Sequence, residues 1–212
     1  MQHFSKEITE FWQLLEQTIG QVLESREEDQ FEAEFVLSDY REKLSSIDEH
    51  LTFHFEADEA GPIEMIFGCD GYPESIHSVL ALVEAAPDLD EISFKAFNHR
   101  YDPIPSCINV AGEMCDITDY WCQLKNIDDK LHLTIYVQEV PEVLETDPRI
   151  EAVMIFLDAL IGEYELMTKI WALDWMELPA DPVDYSLMPL AQLRDTFDLL
   201  KLDVSPIGIT FH

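Results

Sequence analysis

Apolar residues recur every three or four positions over residues 4–24, where Phe4, Ile8, Phe11, Leu15, Ile19 and Val22 share one side and Glu7, Glu10, Gln13 and Gln17 the other. That spacing predicts an amphipathic helix. A second helix is expected over 28–47, with Phe31, Phe35, Val36 and Leu44 as its stripe. The charged run Glu24 to Asp29 joins the two, so together they form a helical arm or antiparallel hairpin. Near residue 51 the period changes to two. Leu51, Phe53 and Phe55 alternate with Thr52, His54 and Glu56, as a half-buried strand requires. Ala60-Gly61-Pro62 marks a turn and Ile63 to Phe67 a returning strand. Tyr72-Pro73-Glu74-Ser75 opens a helix carrying Ile76, Val79, Leu80 and Val83, which Ala86-Pro87 ends. Ile92 to Phe97 reads as a third strand.

A similar order recurs downstream. Strands are expected at 116–124 and 131–138, with Asn126-Ile127-Asp128-Asp129 turning between them. A long helix covers 148–168, on which Ile150, Val153, Met154, Leu157, Leu160, Ile161 and Tyr164 line up. A strand at 170–177 places Trp171, Leu173 and Trp175 on one face. Residues 179–188 are loop-like, Pro189 opens a last helix to Lys201, and Pro206 to His212 reads as an edge strand. The fold class is therefore α+β: an N-terminal helical arm, two strand–strand–helix–strand units forming a pseudo-repeat with a mostly antiparallel sheet, and a C-terminal helix. The expected division is an arm over 1–48 and an α+β domain over 49–212, the latter separable into related halves at 49–102 and 103–212. Phe53, Phe55, Phe67, Phe94, Phe97, Tyr136, Trp171 and Trp175 sit at strand spacing and are expected in the core.

Charge changes the functional picture. The chain has 212 residues, with 44 Asp and Glu against 12 Lys and Arg, a formal net charge of -32. Nucleic acids and anionic membranes both draw affinity from Lys and Arg, so neither is an expected partner. A basic protein is, because charge of this sign attracts it over long range. Aromatics at 11% set the chain apart from disordered acidic tails. A saline habitat would account for the same composition. No stretch reaches the roughly 18–20 apolar residues of a membrane span, and the N-terminus is too polar for a signal peptide; the expected location is the cytoplasm.

Candidate chemistry is sparse. Cys69, Cys107, Cys115 and Cys122 contain no C-x-x-C pair, and a Cys115–Cys122 bridge across a hairpin competes with four reduced thiols. His50, His54 and Glu56 form an H-x-x-x-H pair with a nearby carboxylate, the ligand types zinc takes, against a reading as the polar side of a strand. Asp116, Asp119, Asp128 and Asp129 flank the second hairpin and could meet a divalent cation or a basic partner, but the EF-hand spacing is missing. Glu163, Glu165, Asp174 and Glu177 could serve as paired acid and base, or as a solvated face. Cys69, at a strand end before a helix, is a candidate reactive thiol opposed by the acids around it. G-x-S-x-G, P-loop and G-x-G-x-x-G are all missing, and no cofactor is implied.

Val79-Leu80-Ala81-Leu82-Val83-Glu84-Ala85-Ala86-Pro87-Asp88-Leu89, followed by Ile92-Ser93-Phe94-Lys95-Ala96-Phe97, resembles a set of uncharacterised bacterial proteins in which a helix ending A-A-P leads into a strand ending A-F. The helical arm, the strand from Leu51 to Phe55 and the helix start Pro189-Leu190-Ala191-Gln192-Leu193 are similar as well. Members usually carry Arg shortly after the A-F pair, whereas here the run is Asn98-His99-Arg100 and the basic residue is displaced. The resemblance implies an α+β fold and a bacterial origin, and transfers no functional residue.

These features favour a non-catalytic acidic protein that binds a basic protein, for example an immunity protein or an inhibitor of a nucleic-acid-processing enzyme. The alternatives are a carboxylate- or metal-dependent enzyme and a structural module whose charge serves solubility.

Overall fold

The computed structural model of the chain describes residues 4–28, 30–57, 63–90 and 92–201. It is an α+β protein of two compact units, Met1–Phe97 and Asn98–His212. The two N-terminal helices, set apart as 1–48 on sequence grounds, pack within the first unit. The expected turn Ala60-Gly61-Pro62 and the tail Pro206–His212 lie outside the described residues, as do the side chains of Phe4 and Phe31.

In the first unit, α1 (Phe4–Glu28) and α2 (Gln30–Ile47) form an antiparallel pair. Thr18 and Tyr40 share a 2.8 Å hydrogen bond between hydroxyls, and Lys43 reaches Glu10 at 3.2 Å. Ile8, Phe11, Leu15, Ile19 and Val22 are buried as their spacing requires. On α2 the buried side is Val36, Tyr40 and Leu44, while Phe35 is 71% exposed. Phe35 and Val36 are adjacent, about 100° apart on a helix, so only one of them faces inward.

Strands β1 (Thr52–Ala57) and β2 (Ile63–Gly68) pair antiparallel. A short 3₁₀ turn over Pro73–Ser75 leads into α3 (Ile76–Glu84), which crosses to β3 (Ile92–Ala96), parallel to β2. Phe11 and Trp12 meet Phe67 edge-on at 5.7 and 5.6 Å between centroids, and the Trp12 indole donates to the Leu82 carbonyl at 3.0 Å. Edge-to-face aromatic contacts of this kind add about 0.5–1.5 kcal/mol each to simple burial. They fix the helical pair on the sheet.

The second unit repeats the scheme. β6 (Trp121–Ile127) and β7 (Lys130–Val137) form an antiparallel hairpin whose turn residues Asp128 and Asp129 both have positive φ, 52° and 61°. Two left-handed residues give the tight turn that matches strand twist. A helical crossover then returns to β8 (Ile170–Glu177), parallel to β7. Hairpin, helix and parallel third strand thus occur in both units. The second adds a small hairpin, β4 (Cys107–Val110) with β5 (Glu113–Asp116), a short strand β9 (Met188–Pro189) beside β6, and a last helix α6 (Leu193–Leu200). Its main sheet runs β8-β7-β6-β9.

Three expectations are corrected. The strand expected over 116–124 is split, because the Asp116 carboxylate accepts from the Thr118 amide and hydroxyl and so caps a 3₁₀ turn at Ile117–Asp119. The helix over 148–168 is two, α4 (Pro148–Ile161) and α5 (Glu163–Lys169), separated by Gly162 at φ 86°, ψ 139°. Such a backbone cannot continue a helix. Finally, Trp171 does not share a face with Leu173 and Trp175. The register slips so that Leu131 pairs with Ile170 and His132 with Ala172, leaving Trp171 as a bulge residue. Trp171 is 49% exposed, whereas Leu173 and Trp175 pack against the core.

That core lies between one face of the four-stranded sheet (Cys122, Leu124, Leu131, Leu133, Ile135, Val137) and the helices α4 and α6, through Phe156, Leu157, Leu160, Leu193 and Phe197.

Candidate functional site

The sequence candidates do not converge. His50 sits in the turn before β1, its ring stacked on Tyr72 at 3.7 Å and 13°. His54 and Glu56 are neighbours on one face of β1, 3.4 Å apart. Among the described residues no three His, Cys, Asp or Glu side chains come together as metal ligands. Asp116 and Asp119 lie before β6, and Asp128 and Asp129 after its seven residues. At about 3.3 Å per residue, roughly 20 Å of strand separates the two pairs. Asp116 is engaged in its own turn, which holds its carboxyl below the usual range. Asp174 is exposed. Cys69 is buried, and Cys115 and Cys122 are buried free thiols on different strand pairs, opposite Ile108 and Ile135. Burial alone pushes the Cys122 thiol up to about 12, far from a thiolate nucleophile.

Glu163 and Glu165 belong to a polar network that sequence spacing did not reveal. The break at Gly162 exposes the carbonyl end of α4, and distant cations bind it. Arg100 donates through Nε to the Ile161 carbonyl at 3.0 Å, and its two terminal nitrogens reach Asp198 at 2.8 Å and Glu165 at 2.6 Å. Arg194 donates to the carbonyls of Leu160, Tyr101 and Ala159. Lys201 bridges Glu165 and Asp198. Buried Glu163 accepts through its carboxylate from the Asn98 amide at 3.0 Å, and its own amide donates back to the Asn98 carbonyl at 3.1 Å. The hydrogen bond from Arg100, against some burial, holds the Asp198 carboxyl below its ordinary value. Cationic side chains on the last carbonyls of a helix are favourable both as caps and toward its dipole.

Arg149 plays a similar part at the other end of α4. It grips Asp147, the N-cap of that helix, through Nε and Nη2 at 3.0 and 2.8 Å, and donates to the Gln138 and Glu139 carbonyls after β7. Beside it opens a cleft of about 200 Å³ lined by Glu113, Cys115, Asp119, Tyr120 and Gln138. Burial first, then Cys115 and Asp119, raise the Tyr120 phenol well above its usual value. The Arg149 guanidinium in this cleft is already committed to Asp147 and to the Gln138 and Glu139 carbonyls.

The far face of the four-stranded sheet is different. Opposite the core-facing residues, register aligns Trp121, Tyr136 and Met176 across β6, β7 and β8, and Gln123, Thr134 and Asp174 in the next row. Met176 is 52% exposed, Trp121 and Tyr136 are half-buried, and all three stand outside the core cluster. Tyr136 was expected in the core; period two places it opposite Ile135 and Val137 instead. The Tyr185 carbonyl accepts from the Gln123 amide at 3.5 Å, which brings the loop bearing exposed Asp181 and Asp184 beside this face.

Among the described residues most of the cations are committed internally. Lys6, Arg41, Lys43, Lys95, Arg100, Arg149 and Lys201 form ion pairs, Arg194 holds three carbonyls and Lys130 sits 3.3 Å over the Trp171 ring, so at least nine of the twelve have partners within the chain. Among the described residues no helix is long and apolar enough to cross a membrane. Compared with protein-family models, curated proteins and solved structures, the chain matches none.

Proposed function

We propose that this chain is a non-catalytic acidic protein whose role is to bind a basic protein. The observation that carries the reading is the fate of its cations. With Arg100, Arg149 and Arg194 holding helix ends and loops, and most lysines paired, the surplus of acidic over basic residues that gives the net charge of -32 has little free cationic side chain beside it. An anionic surface of this kind speeds encounter with a cationic one and sets its orientation. An inhibitor of a nucleic-acid-processing enzyme is a concrete form of this role, because its carboxylates stand where phosphates otherwise bind. The test is capture from the native host at physiological salt, then reconstitution with the purified partner. A basic protein bound at fixed stoichiometry, with affinity falling as salt rises, is the expected result. Recovery of no basic partner, or an affinity indifferent to salt, would overturn the reading.

A further inference from the structure

We infer that the far face of the β8-β7-β6 sheet is the docking surface for that partner, and that it recognises arginine in particular. The inference rests on the proposed function and adds to it a place and a side chain.

Three observations point the same way. Trp121, Tyr136 and Met176 lie side by side in register on three adjacent strands, on the face away from α4 and α6. Cross-strand neighbours stand about 4.5–5.5 Å apart, so the row forms a continuous apolar and aromatic strip wide enough for a planar guanidinium. Asp174, on the same face in the next row, is exposed, and the Gln123–Tyr185 contact sets Asp181 and Asp184 at the rim. A carboxylate beside an aromatic surface suits arginine, which stacks by its plane while its edge donates to the carboxylate. The bulge in the same sheet already shows this chemistry: Trp171 takes the Lys130 ammonium over its ring at 3.3 Å. The charged and titratable groups on the face at the opposite end of the strands are Lys125 and His132, two rows away from Trp121 and Tyr136, and Lys130, three rows away and seated over Trp171. The aromatic end is therefore the anionic end.

The test uses the full chain with oligo-arginine and oligo-lysine peptides of equal length. Net charge attracts both, and bidentate carboxylate contacts favour arginine anywhere on the surface, so the part of the preference that belongs to the strip is the part that substitutions in it remove. Oligo-arginine should bind about threefold to tenfold more tightly, as expected for one or two cation–π contacts. Trp121→Ala and Tyr136→Ala should each reduce that preference while leaving the salt-dependent attraction common to both peptides. In the unaltered protein, amide shift changes on adding oligo-arginine should concentrate in 121–124, 132–136 and 172–176, a readout that needs no variant to fold. Equal affinity for the two peptides, a preference that survives both substitutions, or shift changes centred elsewhere would overturn this face and leave the acidic-binder reading standing. Failure of both peptides to bind at physiological salt would overturn this face and the acidic-binder reading together.

Discussion

Ser78 donates its hydroxyl to one carboxylate oxygen of Asp48 at 2.7 Å, across thirty residues of sequence. The other oxygen accepts from Ser75 at 2.9 Å and from the His50 amide at 3.1 Å. Ser75 and Ser78 are both buried, and Asp48 ends α2, so one side chain ties the helical pair to the start of α3. Asp48→Ala should destabilise the first unit by about 2–3 kcal/mol, since it leaves two buried hydroxyls unsatisfied and loses a charge-assisted acceptor. Urea unfolding followed by amide hydrogen exchange in the first unit reads this. Replacing both serines with alanine in the Asp48→Ala background should recover part of the loss. An additive result would mean that the three do not act together.

The same carboxylate gives a pH dependence of fixed sign. Burial raises its pKa, but the hydrogen bonds from Ser78, the His50 amide and Ser75 together outweigh burial, and the net shift is downward. A folded pKa below the unfolded value of about 3.9 contributes stability in full above about pH 4–5, which is lost as pH falls through the folded pKa. The stability gap between wild type and Asp48→Ala should therefore be constant from pH 7 to about 5 and narrow toward pH 3. A gap that widens on acidification would contradict the assignment.

Gly162 is the one glycine on which the helical break depends. A Cβ there would stand 3.6 Å from the Asn98 carbonyl oxygen and 3.8 Å from Arg100 Cγ, ordinary contact distances. Space is available; the conformation, at φ 86° and ψ 139°, is not one an L-residue adopts cheaply. Gly162→Ala should cost about 1–3 kcal/mol from backbone strain alone. A neutral substitution, measured by thermal unfolding, would show that the α4–α5 junction can relax.

Periodicity made the elements with an uninterrupted face legible, namely α1 and the β1 and β7 strands, and it gave the ends of β8 at Ile170 and Glu177 though not its bulge. What it missed depended on single residues. The β4–β5 hairpin has four-residue strands and little burial, too short for an alternation to register, although Gly112 at φ 90° beside Asn109 was its available signal. The break at Gly162 and the bulge at Trp171 each displace a face without altering the apolar count around them. The candidate docking strip was hidden for a related reason. Trp121, Tyr136 and Met176 come from three strands and are joined by pairing register, which no local spacing encodes. The Arg100 and Arg194 networks likewise span sixty or more residues in places.

Salt should stabilise this protein. Ion pairs such as Arg100 with Glu165 and Asp198 are only partly exposed and so only partly screened. The surplus carboxylates behind the net charge of -32 are the larger exposed population, and their mutual repulsion is screened beyond roughly 8–10 Å at physiological ionic strength. Screening repulsion among many charges therefore outweighs weakening a few attractions. Raising salt from low ionic strength to half-molar should raise the melting temperature, by roughly 2–4 °C for each ~1 kcal/mol of repulsion removed. Sodium chloride is the salt to use, because sulfate and phosphate also strengthen apolar burial and would confound the result. A melting temperature that stays flat or falls over that range would mean that the carboxylates are compensated within the fold, and the case for a basic partner would lose its physical ground.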